Sequence, residues 1–111
     1  NDAAREISAT TYEENLKTLI AAYRKDLNVP EMPFVIAQIN SNYGKFKKEG
    51  PGIVRTAMET VANEDKKVDV IKTSMERSWS DYPKHPDNVH YNEVGQKRFG
   101  IAFAERLLKL Q

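Results

Sequence analysis

The segment from Pro33 to Asn40, PFVIAQIN, limits the fold of this chain more than any other. It is nearly continuous in apolar residues and rich in β-branched ones, which is typical of a strand buried on both faces of a parallel sheet. A shorter run, VDVIK from Val68 to Lys72, predicts a second strand. Segments with helical spacing lie before, between and after these runs. This alternation predicts an α/β doubly wound fold with parallel strands.

A helix is predicted from about Thr11 to Leu27, ahead of the first strand. Its apolar residues follow helical spacing and form one stripe, made of Tyr12, Leu16, Leu19, Ile20, Tyr23 and Leu27. Two overlapping capping-box patterns stand at its start, Thr10 with Glu13 and Thr11 with Glu14. Asn28 and Pro30 are expected to end it.

Two further helices are predicted after the first strand. Residues 41–52 are polar and basic and predict a loop, and helical spacing returns at Ile53. A long polar and aromatic loop over residues 73–92 follows the second strand. The last helix runs from about Glu93 to Leu110, with Asn92 as its N-cap.

The 111 residues suit one domain. Two strands alone make a poor sheet, because both edges would expose unpaired backbone groups. Polar residues rather than a strand precede the first helix. We therefore expect residues 1–111 to be the C-terminal part of a larger three-layer α/β/α domain, completed by a missing N-terminal half.

Charge and composition argue against several classes of partner. The net charge is +1, and the densest basic run, Lys45, Lys47 and Lys48, is interrupted by Glu49. Nucleic-acid binding needs a more concentrated basic face, so we expect none. No apolar run approaches the roughly 18 residues of a membrane span. The chain has no cysteine, which excludes disulfides and thiolate metal sites but does not identify a compartment.

Asp87 and His90 stand three residues apart, just before the last helix. Sites in α/β sheets form at the carboxyl ends of strands, where loops lead into helices. A carboxylate and a histidine there can form the base half of a nucleophilic system. Spacing alone leaves alternatives open, because Asp87 could bond backbone amides in a turn and His90 could be a surface residue. With His85 they are also metal-ligand types.

The segment DNVHYNEVGQKRFG, from Asp87 to Gly100, closely resembles the D-x-x-H block of SGNH (GDSL-like) hydrolases. In that family an aromatic residue, a glycine and an amphipathic helix follow the block, as Tyr91, Gly95 and the last helix do here. The rest is similar to the carbohydrate and sialic-acid O-acetylesterase branch. The matching parts are Asn1-Asp2-Ala3, YEENLKTLIAAYRKDL, PFVIAQ and Val54-Arg55.

This resemblance implies a flavodoxin-like sheet. It also implies that the larger protein to which this chain belongs is a serine ester hydrolase that acts on an acetylated carbohydrate of sialate or xylan type. It implies His90 as general base, Asp87 as its acidic partner and Asn1 as a side chain of the oxyanion hole. It implies no cofactor and no metal. A secreted or periplasmic location is compatible with it, and the sequence leaves the compartment open.

The nucleophile is the main departure from the family pattern. The family's serine lies in a G-D-S or G-Q-S-N block after the first strand, and these 111 residues contain no such block. Ser41, directly after the PFVIAQIN run, is the nearest candidate but does not lie in a strand-to-helix elbow. We expect the serine upstream, with this chain alone inactive. The alternative is a non-catalytic α/β module that binds a carbohydrate or a protein.

Three other residues have a functional and a structural interpretation. Trp79 and Tyr82 could line a sugar subsite or pack the long loop onto the body of the domain. Gln38, at the end of the first strand, could contact substrate or satisfy local backbone groups. In each case the structural interpretation is the simpler one.

Overall fold

The computed structural model describes residues 2–40 and 49–111. The assignments made for Asn1, Ser41 and the basic run Lys45 to Lys48 lie outside the described residues. The chain begins with a 3-10 helix (Asp2–Ala4). The elements that follow, in chain order, are α1 (Glu6–Thr10), α2 (Tyr12–Asp26), β1 (Phe34–Ala37), α3 (Gly50–Glu64), β2 (Val68–Ile71) and α4 (Glu93–Leu110). Within this part of the chain, no helix is both long and apolar enough to cross a membrane.

The two strands pair in parallel, as the sequence predicts. Their register sets Phe34 opposite Val68 and Ala37 opposite Ile71, and α3 connects them. The α/β fold class is therefore confirmed. The prediction that the first strand is buried on both faces is wrong, because all four β1 residues are only partly buried, whereas three of the four in β2 are buried. Among the described strands, β1 pairs with β2 alone, so no described strand pairs with its other edge.

The junction between α1 and α2 differs from the predicted capping box. Thr11 does not cap α2 through its side chain. Instead, the hydroxyls of Thr10 and Thr11 donate to carbonyls of the preceding turn, those of Glu6 and Ile7. The sequence did not predict α1. Because these preceding residues are themselves helical, their carbonyls lie within reach of the threonine hydroxyls and compete with the capping geometry.

Helix α2 ends just before Asn28, as the sequence predicts. Asn28 adopts a left-handed conformation with φ of 53°. The N–H of Val29 donates to the carbonyl of Arg24 at 2.9 Å, and that of Asn28 to the carbonyl of Lys25 at 3.1 Å. This pair of bonds is a Schellman motif, which satisfies the last carbonyls of the helix.

The buried face of α2 is narrower than its apolar stripe. Leu16 and Ile20 are buried in a core that also contains Val54, Met58, Val61, Val68 and Val70. Leu19, Tyr23 and Leu27, from the same stripe, are at least half exposed. Helical spacing thus identified the face of α2 but not the extent of its burial, which depends on what packs there.

Helix α3 starts earlier than predicted. The interpretation of residues 41–52 as a loop is wrong at its end, because Gly50, Pro51 and Gly52 belong to the first turn of α3. Proline fits this turn since its fixed φ is helical and the missing N–H would have no partner there. Gly50 and Pro51 are also buried, so packing favours the helical conformation.

The long loop over residues 73–92 packs against α4. The ring of Tyr82 stacks on that of Phe99 with centroids 4.0 Å apart, and Trp79 lies beside Tyr82 at 5.5 Å. Trp79 and Tyr82 thus pack the long loop onto the body of the domain, as their structural interpretation predicts. At the start of α4, the Asn92 side chain accepts the N–H of Gly95 at 2.9 Å, which confirms Asn92 as the N-cap.

Candidate active site

Asp87 and His90 are in direct contact. The Nδ1 atom of His90 lies 2.6 Å from Oδ2 of Asp87. The other oxygen of Asp87, Oδ1, accepts the backbone N–H of Val89 at 2.9 Å and that of His90 at 3.0 Å. The carboxylate therefore accepts backbone amides in a turn, as one of the alternatives expects, and holds the imidazole at the same time.

Backbone hydrogen bonds close the loop around this pair. The N–H of His85 donates to the carbonyl of His90 at 2.8 Å, and the N–H of Asn92 donates to the carbonyl of Pro83 at 3.0 Å. At the tip of the loop Asn88 has φ of 60°. Asparagine tolerates this conformation better than most residues do. The loop thus fixes the position of His90 relative to the first turn of α4.

The charge state of the pair follows from these contacts. The hydrogen bond from the His90 ring, followed by those from the backbone of Val89 and His90, holds the pKa of Asp87 well below its usual range. Asp87 is therefore ionised at neutral pH. In the neutral imidazole that donates its Nδ1–H to this carboxylate, Nε2 of His90 is the nitrogen that can accept a proton. The His90 side chain is 78% exposed, so Nε2 is open to a reacting group.

The pair borders a cleft of about 960 Å³. Its walls come from three separate parts of the chain: the 3-10 helix with Tyr12, the carboxyl end of β1, and the loop from Asp87 to Tyr91. The cleft therefore lies at the carboxyl end of a parallel strand, where α/β folds bind ligands. The lining side chains are Asp2, Ala3, Ala4, Tyr12, Ala37, Gln38, Ile39, Asn40, Val54, Asp87, Val89, His90 and Tyr91.

A buried polar network supports the floor of this cleft. The amide of Gln38, only 3% exposed, donates to Glu59 Oε1 at 2.7 Å and accepts the N–H of Thr73 at 3.2 Å. The Arg55 guanidinium donates to the carbonyls of Ile39 and Thr73. Gln38 thus satisfies local groups, as its structural interpretation predicts. Arg55 ties together the segments that leave the two strands.

A metal site is not apparent in this region. Among residues 2–40 and 49–111, no three His, Asp or Glu side chains are arranged to hold a metal ion. His85 joins His90 through the backbone. The serines within these residues are Ser8, Ser74, Ser78 and Ser80, and none of them lines the cleft.

Sequence reasoning did not assign several polar residues of the cleft to the site, among them Tyr12 and Asn40. A usable signal existed for Asn40, because it is a polar residue three positions beyond β1, where the carboxyl end of a strand meets a site. No sequence signal placed Tyr12 at the site, because its spacing is that of an ordinary core residue of α2.

A family model for carbohydrate esterases, described as sialic acid-specific acetylesterase, matches residues 1–109. Comparisons with curated proteins and with solved structures found no match. The family match covers nearly the whole chain and includes both the Asp87–His90 loop and the elements that build the cleft. The chain belongs to the carbohydrate esterase family of sialic acid-specific acetylesterases.

Proposed function

We propose that this chain provides the acid–base part of an SGNH-type serine ester hydrolase that removes O-acetyl groups from a carbohydrate of sialate or xylan type. One observation carries the proposal: His90 Nδ1 lies 2.6 Å from the ionised Asp87 at the edge of a cleft, with the rest of the ring exposed. This is the arrangement that a general base and its orienting carboxylate need.

In the proposed reaction, a serine Oγ attacks the carbonyl carbon of the acetyl ester while its proton passes to Nε2 of His90. Asp87 stabilises the imidazolium that forms. The tetrahedral species then collapses, and the sugar oxygen leaves with the proton from His90. Water attacks the resulting acetyl-serine, again giving its proton to His90, and acetate and free serine are released. These steps use no cofactor.

The nucleophile in this proposal comes from a segment outside these 111 residues. No G-D-S or G-Q-S-N block is present in them, and no serine of the described part lines the cleft. Asn1 is retained as a proposed donor to the oxyanion, because the residues directly after it, Asp2 to Ala4, line the same cleft as His90.

The alternative function is that of a non-catalytic module that binds a carbohydrate or a protein in the same cleft. The observation that favours it is the combination of a formed cleft with no serine among its described lining residues. The two functions differ in whether His90 is needed for acetate release.

The test uses the protein made from its own gene, in the form in which the cell produces it. Acetate release from O-acetylated sialic acid and from acetylated xylan is compared for the wild type, His90→Ala, Asp87→Asn and His85→Ala. We expect His90→Ala to lower kcat by about 10⁴-fold or more and Asp87→Asn by about 10²- to 10⁴-fold. His85→Ala is the matched control, because it changes the other histidine of the same loop without touching the pair.

The mass of that protein decides between the two functions when no activity is found. A mass of 12.7 kDa together with no acetate release would favour the binding module. Acetate release that is equally strong in the wild type and in His90→Ala would overturn the proposed role of His90.

A further inference from the structure

Two polar groups beside the cleft have no hydrogen-bond partner among the described residues. One is the amide nitrogen of Asn40, a residue only 8% exposed, and the other is the hydroxyl of Tyr91. Both residues line the same cleft as Asp87 and His90. The Asn40 side chain lies near enough to the hydroxyl of Tyr91 to lower its pKa as a hydrogen-bonding neighbour does, but the two groups do not meet hydrogen-bond geometry.

Buried polar groups without partners are uncommon in folded proteins, because each has lost its hydrogen bonds to water without replacement. Two of them side by side in the lining of one cleft therefore need an explanation. Other polar groups around them are satisfied, since Gln38, Arg55 and Thr73 bond one another in the network under the cleft. The third buried side-chain group without a partner among the described residues, Nζ of Lys84, does not line this cleft.

We infer that Asn40 and Tyr91 bind hydroxyl groups of the substrate sugar, and so determine which sugar presents its ester to His90. This inference rests on the proposed carbohydrate esterase function. It goes beyond that function by assigning recognition of the sugar to two residues outside the Asp87–His90 pair.

The chemistry of the two groups matches sugar hydroxyls better than an acetyl carbonyl. The unpartnered nitrogen of Asn40 donates, and the hydroxyl of Tyr91 both donates and accepts. Sugar hydroxyls can meet both requirements, whereas a carbonyl only accepts. Burial raises the pKa of Tyr91 to about 12, although the charge of Arg55 works in the opposite direction. The phenol therefore stays protonated and able to donate at neutral pH.

The size of the cleft and the rigidity of Tyr91 agree with this assignment. A cleft of about 960 Å³ is much larger than an acetyl group and has room for a monosaccharide. The ring of Tyr91 packs edge-on against Phe99 with centroids 4.5 Å apart, so the core of α4 holds it in place. Because Tyr91 and His90 line the same cleft, a sugar bound to the Tyr91 hydroxyl occupies the cleft that the proposed base borders.

The experiment measures binding without turnover. The protein as produced from its own gene carries His90→Ala so that the ester stays intact, and isothermal titration calorimetry follows the binding of O-acetylated sialic acid and of acetylated xylose. Tyr91→Phe and Asn40→Asp are added to this background. Tyr91→Phe removes one oxygen, and Asn40→Asp replaces the donor amide with an oxygen of similar size. Tyr23→Phe, on the exposed side of α2, is the control.

We expect Tyr91→Phe and Asn40→Asp each to weaken binding of one of these sugars by about tenfold, as the loss of a ligand hydrogen bond does, while Tyr23→Phe leaves it unchanged. Thermal unfolding separates this from a structural role. Removing an unpartnered hydroxyl should leave Tm of the free protein unchanged or raise it.

Three results would overturn the inference: unchanged sugar binding in Tyr91→Phe, a lower Tm in Tyr91→Phe with loss of binding explained by unfolding, or no binding of either sugar by the parent His90→Ala protein. Unchanged binding would mean that the two groups are satisfied by bound water only. Each result is independent of the acetate-release assay, so failure here is distinct from failure of the proposed esterase function.

Discussion

Gly95 lies against Pro83 so closely that a Cβ atom on Gly95 would stand 2.2 Å from the carbonyl oxygen of Pro83. The same oxygen accepts the N–H of Asn92 at 3.0 Å. The first turn of α4 therefore docks directly on the strand-like start of the Asp87–His90 loop. A glycine is required there because backbone, which cannot swing aside as a flexible side chain can, occupies the space of a side chain.

This contact predicts a difference between two glycines of the same helix. Gly95→Ala should lower the free energy of unfolding by about 2 kcal/mol or more, because the loop or the helix must shift. Gly100→Ala should raise it by about 0.5–1 kcal/mol, since a Cβ there meets nothing within 4 Å and alanine favours the helix. Urea unfolding of both variants checks this. Equal stability of the two variants would contradict the close contact.

The titration of Asp87 should report its bond to His90. NMR of the Asp87 carboxyl carbon should give a midpoint well below the ordinary value of about 3.9, and His90→Ala should move it upward. In His90→Ala the midpoint should still lie below the ordinary value, because the N–H groups of residues 89 and 90 still donate to Oδ1 of Asp87. A midpoint that His90→Ala leaves in place would show that the imidazole does not hold the carboxylate in solution.

The lowered pKa of Asp87 also determines how the stability of the protein depends on pH. A carboxyl whose pKa is lower in the folded state contributes stability that is present above the unfolded pKa, near pH 4, and is lost as the pH falls through the folded value. The wild type should therefore lose stability to acid more steeply than Asp87→Asn does below about pH 4. Thermal unfolding between neutral and strongly acid pH measures the difference, which solvent screening keeps small at this exposed site.

Two basic residues of α2, Arg24 and Lys17, should differ in their contribution to stability. Arg24 is mostly buried, lies 2.6 Å from Asp65 and also donates twice to the carbonyl of Met32. Arg24→Met should lower the free energy of unfolding by roughly 2 kcal/mol, because a carboxylate and a carbonyl lose their donors. Lys17→Met, which removes the more exposed pairs with Glu13 and Glu64, should change the free energy of unfolding much less, because solvent screens these charges. Similar losses for both would contradict this ranking.

The hydroxyl of Thr73 is expected to stabilise the floor of the cleft. It donates to the carbonyl of Gln38 at 3.0 Å and accepts from Arg55 at 2.8 Å, in a residue only 8% exposed. Thr73→Val keeps the shape and should cost on the order of 2 kcal/mol, because the partly buried Arg55 loses an acceptor. Thr60→Val, whose hydroxyl bonds only its own helix, is the control and should change stability by less than about 0.5 kcal/mol. Denaturant unfolding of both variants tests the difference.

Local signals in the sequence were sufficient for most of the fold. The apolar run VDVIK, the Asn28 stop and the Asn92 cap each depend on a few neighbouring residues, and the structure has β2, the end of α2 and the start of α4 where these signals predict. Signals that compete locally failed. The capping box did not form, because the preceding turn was itself helical, and the glycines around Pro51 did not prevent the first turn of α3.

In the candidate site too, some features follow from the local sequence and others from the tertiary structure alone. Asp87 and His90 are three residues apart in one loop, so the sequence by itself brought their side chains within reach of each other. Only the tertiary structure decided that Asp2, Asn40 and Tyr91 line the cleft next to them, since these residues come from three separate segments. It also decided which polar groups lack partners and where Gly95 meets Pro83. The physical reason is that periodicity and hydrogen bonding over a few residues are encoded locally, whereas burial and close contact depend on what distant parts of the chain cover.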